Sequence, residues 1–135
     1  MNYAALHLHS ASSPQWGVRS LSDLCAAARS LGIRSLALTD RNGLYGVPNF
    51  IEAARSCGIE PIIGAEVCTA AQRAVLLAED EIGYAHLCRL LSDLHCRDDF
   101  DLVRSLSRGR RGLTVISDDA QVLRSLYRQS RAGLY

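Results

Sequence analysis

The chain has 135 residues, 48% hydrophobic and 21% charged, with a formal net charge of +1. That is enough chain for one domain with its own core, and the charge balance demands neither an anionic nor a cationic partner. No apolar run approaches the roughly 18 residues that a membrane span needs, and Met1-Asn2-Tyr3-Ala4 lacks the basic and apolar stretches of a secretory signal. The expectation is a cytoplasmic chain without membrane association. All fifteen basic residues are Arg, which excludes Schiff-base chemistry on a lysine. Cys25, Cys57, Cys68, Cys88 and Cys96 are odd in number and contain no CxxC. They read as reduced thiols, with Cys25 and Cys88 filling core space.

The elements follow in order. A short strand is expected around Leu6-His7-Leu8-His9. Ser20 is a good N-cap, with Asp23 three residues on, and Leu21, Leu24, Cys25, Ala28 and Leu31 form an apolar stripe before Gly32. Leu36-Ala37-Leu38-Thr39 is a buried strand. Val47, Phe50, Ile51 and Ala54 mark a second helix, which tolerates Pro48 in its first turn and stops at Gly58. Ile62-Ile63-Gly64-Ala65 is the next strand, followed by Ala74-Val75-Leu76-Leu77. A third helix carries Tyr84, Leu87, Cys88, Leu91 and Leu94. Residues 97–112 read as a charged, solvated turn. Leu113-Thr114-Val115-Ile116 is a strand, and Val122, Leu123, Leu126 and Tyr127 suggest a last helix over 119–129.

Part of this pattern is repeated. Residues 27–40, AARSLGIRSLALTD, and 53–66, AARSCGIEPIIGAE, match at an offset of 26. Each copy reads as helix, glycine stop, strand and acid, ending in Asp40 and Glu66. Strands alternating with helices imply a parallel sheet with helical crossovers, whose ligands gather at the carboxyl ends of the strands.

Four chemistry-bearing residues fall at such ends. His7 and His9, two apart on a strand, project to one side; Asp40 ends the second strand and Glu66 the third. Two imidazoles and two carboxylates make a mixed set suited to Zn, Mn or Fe. Asp40, standing before Arg41-Asn42-Gly43, fits a turn residue as well as a ligand. His86 lies off the third helix's apolar stripe. His95 lies on it, which fits a packing histidine and makes it an additional ligand candidate.

These residues resemble a known family. His7-Leu8-His9-Ser10, Ala37-Leu38-Thr39-Asp40, Gly43-Leu44-Tyr45-Gly46 and Gly58-Ile59-Glu60-Pro61-Ile62-Ile63-Gly64-Ala65-Glu66 are similar to the PHP (polymerase and histidinol phosphatase) domain. The likeness is strongest to the PHP domain that opens the bacterial DNA polymerase III alpha subunit, in its error-prone branch. It implies a distorted barrel of seven β/α units with a metal cluster at the strand ends, hydrolysing phosphate esters in active members. It also implies His7 and His9 as the first ligand pair, Asp40 in the second motif and Glu66 as a bridging carboxylate. The implied partners are polymerase domains of a longer chain or a partner subunit, with DNA reached only through that parent polymerase.

The sequence also departs from the family. Active members often carry an acid or His shortly after the HxH pair, where this chain has Pro14-Gln15-Trp16-Gly17, and a His where it has Arg41. A guanidinium cannot ligate a metal, so Arg41 is expected to substitute for a metal's charge by pairing with Asp40 or Glu66. The family's last ligands have no counterpart here, and Ala132-Gly133-Leu134-Tyr135 reads as the lead into another strand. The expectation is therefore a single α/β domain over 1–135, an incomplete barrel with an open edge that favours self-association. Its site would be a degraded metal-dependent phosphoesterase site in a mainly structural segment. The alternatives are a free-standing histidinol-phosphatase-like enzyme and a catalytically dead interaction module.

Overall fold

The structure, a computed structural model, describes residues 3–135, so the first two residues of the expected domain lie outside the described residues. Strands β1 (Ala4–Ala5), β2 (Ser35–Leu38), β3 (Glu60–Cys68), β4 (Arg73–Ala78) and β5 (Leu113–Ile116) lie side by side in chain order, in a curled half-barrel sheet. The helices are α1 (Leu21–Ser30), α2 (Val47–Ser56), α3 (Glu81–Cys96), α4 (Leu102–Arg108) and α5 (Ala120–Tyr127).

The first half follows the local signals. Ser20 caps α1 by accepting from the Asp23 amide at 3.2 Å, and Pro48 sits in the first turn of α2. Both helices are followed by a glycine at positive φ, Gly32 (+73°) and Gly58 (+65°), the left-handed stop that a Cβ would disfavour. Leu31, expected on the α1 stripe, is 76% exposed because it forms the C-cap.

The second half corrects two expectations. Strands β1, β2 and β3 pair in parallel, but β4 is reversed and pairs antiparallel with both β3 and β5, leaving β5 in the direction of the first three. The four residues 69–72 joining β3 to β4 close a tight turn, with Thr69 N donating to Gln72 O at 2.9 Å. A parallel return needs a crossover of about a dozen residues, which this link cannot supply. The stretch read as a solvated turn contains α4. Asp101 caps it through the Arg104 amide at 2.7 Å, and Leu102 and Leu106, one turn apart, are buried. Residues 133–135 meet the expectation of a strand lead: Val115 N donates to Gly133 O at 2.7 Å and Tyr135 N to Val115 O at 2.9 Å, parallel to β5.

Helices cover one face of the sheet. Cys25 and Ala28 of α1 and Val47, Phe50 and Ala54 of α2 pack on Leu36 and Leu38 of β2. Leu87 and Leu91 of α3, Leu102 and Leu106 of α4, and Val122 and Leu126 of α5 pack on β3 to β5. The alternate residues Ala37, Val75 and Leu77, with Ile62 and Ile116, form a smaller cluster on the other, concave face.

One close approach fixes α3 to the sheet. A Cβ at Gly83 would lie 1.7 Å from the Gly112 carbonyl oxygen, a backbone atom with little room to move. Gly83→Ala is expected to destabilise the chain by about 3 kcal/mol through overpacking, read as a lowered urea midpoint at unchanged slope.

Candidate metal centre

His7 and His9 follow β1, whose regular part is only two residues long, so the expected strand ends before them. Pairing with β2 nevertheless resumes between them: Leu8 N donates to Thr39 Oγ1 at 2.9 Å, and Leu8 O accepts from Thr39 N at 2.8 Å. Anchoring the residue between the two imidazoles holds both side chains near the end of β2. Their rings meet edge to face with centroids 4.9 Å apart.

Glu66, 4% exposed, lies on β3 opposite them. Its carboxylate is 3.0 Å from His9 Nε2 and 3.8 Å from His7 Nε2. A tetrahedral ion with ligand bonds of about 2.0–2.1 Å sets its donors about 3.3 Å apart, and the two observed separations bracket that value. His9 Nε2 is buried and makes no hydrogen bond despite its closeness to Glu66, because the two groups are not aligned for one. Such an orphan ordinarily costs stability, and a cation between the groups would satisfy it. One donor atom from each of His7, His9 and Glu66 lies within 4.8 Å of the others. Two imidazoles and a carboxylate make a catalytic type of donor set, with further coordination positions left open. Burial pushes the His7 pKa down and the neighbouring His9 and Arg73 add to this, against an upward pull from Glu66. The balance favours the neutral, lone-pair-bearing ring that a metal needs.

Asp40, the fourth expected ligand, lies elsewhere. The sequence repeat has an offset of 26, but β2 and β3 pair at 25: Leu38 faces Ile63, and Arg41 bridges Glu66. A stagger of one residue puts repeat-equivalent side chains on opposite faces of the sheet. Glu66 therefore shares the concave face with Val75, its partner on β4, while Asp40 turns to the helix side with Leu38. There it is 2% exposed and accepts from Ser10 N, Ser10 Oγ and Ser13 Oγ, each at 2.7 Å. Asp40 organises the loop after the histidines.

Arg41 and His95 also differ from expectation. Among the described residues the Arg41 guanidinium pairs with neither Asp40 nor Glu66; it lies 5.1 Å over the Trp16 ring, whose centroid is 6.1 Å from that of His9. Because the cation–π contact is exposed, Arg41→Ala should cost under about 1 kcal/mol, a small shift in melting temperature where a charge substitute would give a large one. His95 is exposed and donates from Nε2 to the Asn42 carbonyl at 2.7 Å. Asn42 in turn, at φ +53°, clamps Cys68 through both side-chain atoms and donates from its own amide to Glu66 O at 2.8 Å. His95 thus supports the loop behind Glu66 and is not among the ligand candidates. His86 binds the Arg111 carbonyl through Nδ1 at 2.9 Å.

A cleft of about 230 Å³ opens beside the donor group, lined by His7, Glu66, Arg73, Val75, Ser117 and Asp118. Arg73 and Asp118 form an ion pair at its rim. Sequence reasoning missed both, because only the β3–β4 hairpin register, Cys68 opposite Arg73, carries that arginine next to Glu66. A larger cleft of about 460 Å³ lies around Arg110 and Gln129 and contains none of the three clustered donors.

A curled half-barrel sheet that brings two imidazoles and a buried carboxylate together defines an α/β protein with a candidate metal-binding group. Comparison with known proteins gives the family. The PHP domain matches residues 5–134, and the chain belongs to the PHP domain family. It is 41% identical over 100 residues to an error-prone DNA polymerase of Anaeromyxobacter sp. (strain K), covering 70% of this chain and 9% of that one. It is 34% identical over 131 residues to the DNA polymerase III subunit alpha of Chlamydia pneumoniae, covering 81% of this chain and 11% of that one. The chain thus spans about a tenth of the length of these curated relatives. In fold it resembles a Bifidobacterium adolescentis protein described as a metal-dependent phosphoesterase (TM-score 0.55, 20% identity, 78% of this chain and 38% of that one). It also resembles an amidohydrolase of Chromobacterium violaceum with bound sulfate and no metal (TM-score 0.54, 26% identity, 67% of this chain and 32% of that one). Among the described residues no helix is long and apolar enough to cross a membrane.

Proposed function

We propose that this chain is the PHP portion of an error-prone, polymerase III alpha-type DNA polymerase, mainly structural there, with a reduced metal-dependent phosphoesterase site. The observation that carries this is the convergence of His7, His9 and Glu66 in a chain homologous to the N-terminal region of such polymerases. In this reading His7 and His9 give Nε2 and Glu66 gives its carboxylate to one divalent cation, Zn, Mn or Fe. The bound cation would supply Lewis acidity toward a phosphate ester and a water nucleophile usable near neutral pH. Arg73, at the rim of the cleft, gives a second positive charge toward a phosphate. Asp40 contributes by holding the Ser10–Ser13 loop. DNA is reached through the rest of the polymerase, and the partners are its other domains. A free-standing histidinol-phosphatase-like enzyme is not favoured, since the curated relatives are polymerases.

The test is metal content by plasma mass spectrometry, comparing the purified chain with a His7→Ala/His9→Ala double variant. Near-stoichiometric Zn, Mn or Fe that disappears in the variant is the expected result. No metal in either would overturn the metal site and leave a structural segment.

A further inference from the structure

An exposed aromatic ring lies beside the donor group. Trp16, the single tryptophan of the chain, is 56% exposed. Large aromatic rings are ordinarily buried for the area they remove from water, so its exposure needs a reason.

That reason is not slackness in the loop. Gln15 is held at φ +70°, and the Trp16 and Gly17 amides both donate to Ser13 O, at 3.1 and 3.0 Å. Ser13 Oγ is fixed to buried Asp40 and also accepts from the Arg41 amide at 2.9 Å. A Cβ at Gly17 would lie 1.8 Å from Ser10 O, so the chain packs backbone on backbone here. The loop holds the indole out beside His9, with the Arg41 guanidinium over its face. Among the described residues the Arg41 guanidinium donors meet no carboxylate and no carbonyl, which leaves them available for a ligand.

We propose that Trp16 and Arg41 form a stacking platform for the base of an unpaired nucleotide, which presents its phosphate to the His7–His9–Glu66 group. An exposed, rigidly held indole takes any base by its π-face, and a planar cation beside it adds stacking and a phosphate contact. Because the Trp16 ring adjoins that of His9, one nucleotide spans from platform to donor group. The phosphate part of this inference rests on the metal-site reading above; the base part does not.

The single tryptophan makes the test direct. Adenosine 5′-monophosphate is expected to quench Trp16 fluorescence at concentrations where ribose 5-phosphate, which lacks the base, does not. Equal responses, or none to either, overturn the platform. Equilibrium dialysis supplies a second readout. Trp16→Leu should reduce the preference for the nucleotide over ribose 5-phosphate by about fivefold or more, the low end of one base–aromatic stack. Trp16→Phe should keep most of that preference, and Arg41→Gln should weaken both ligands. A preference unchanged in Trp16→Leu also overturns the proposal. Metal content is measured on the same samples and decides the other reading independently. Bound metal without base-selective quenching sinks the platform alone, and base-selective quenching without metal sinks the metal site alone.

Discussion

A Glu66→Gln chain should bind zinc at least about a hundredfold more weakly than the parent, beyond the loss typical for a group that only supports a ligand. Glu66 is the only carboxylate in the donor group and is 4% exposed. Glutamine fills the same space but brings no charge, and its amide carbonyl is a weaker ligand than a carboxylate. The change separates metal chemistry from packing. In the parent, zinc at about a hundred times its dissociation constant should add about 2.7 kcal/mol of stability, seen as a rise of several degrees in melting temperature. The variant should show no such rise. Without metal it should melt at or above the parent, because a buried carboxylate costs more to desolvate than the amide that replaces it. A zinc-dependent rise in Glu66→Gln as large as in the parent would show that Glu66 does not ligate.

The second large effect belongs to Asp40, for a different reason. Asp40→Ala removes the acceptor of three hydrogen bonds from Ser10 and Ser13, all buried. Leaving buried donors unpaired costs about 1–3 kcal/mol each before relaxation, so a total of about 3 kcal/mol or more is expected. Urea denaturation at unchanged slope is the measurement. The Ser10–Gly17 loop should also loosen, which single-tryptophan fluorescence reports as a red-shifted, more quenchable Trp16. If Asp40 were a ligand instead, its loss would abolish metal binding with little effect on the metal-free chain.

These two variants mark how much was legible in the sequence. The helices α1, α2, α3 and α5 and the strands β2 to β5 announce themselves through apolar spacing, an N-cap at Ser20 and glycine stops at Gly32 and Gly58. The HxH pair and Glu66 are legible because imidazoles and an acid at strand ends suggest one chemistry. The helix α4 was not: its two buried leucines, Leu102 and Leu106, are set among charges that dominate a window of that length. The role of His95 was hidden because a helix stripe says which side faces inward, not that a loop carbonyl, that of Asn42, waits there. Arg73 stands within no motif, and Trp16 shows in the sequence only as a departure from the acid or His that often follows the HxH pair; their closeness to the histidines comes from folding.

The sequence by itself determined most of the elements, the helix-covered sheet and the candidacy of His7, His9 and Glu66 as metal donors. It also proposed that Asp40 and Glu66, equivalent in a repeat of 26, would act together. Tertiary structure decided otherwise. Strands β2 and β3 pair at an offset of 25, and side chains on a strand alternate with period two. That one-residue stagger sends Glu66 to the concave face with the histidines. It sends Asp40 to the helix face, where it holds the loop that carries Trp16. Register depends on how two strands meet, and no property of either strand alone contains it.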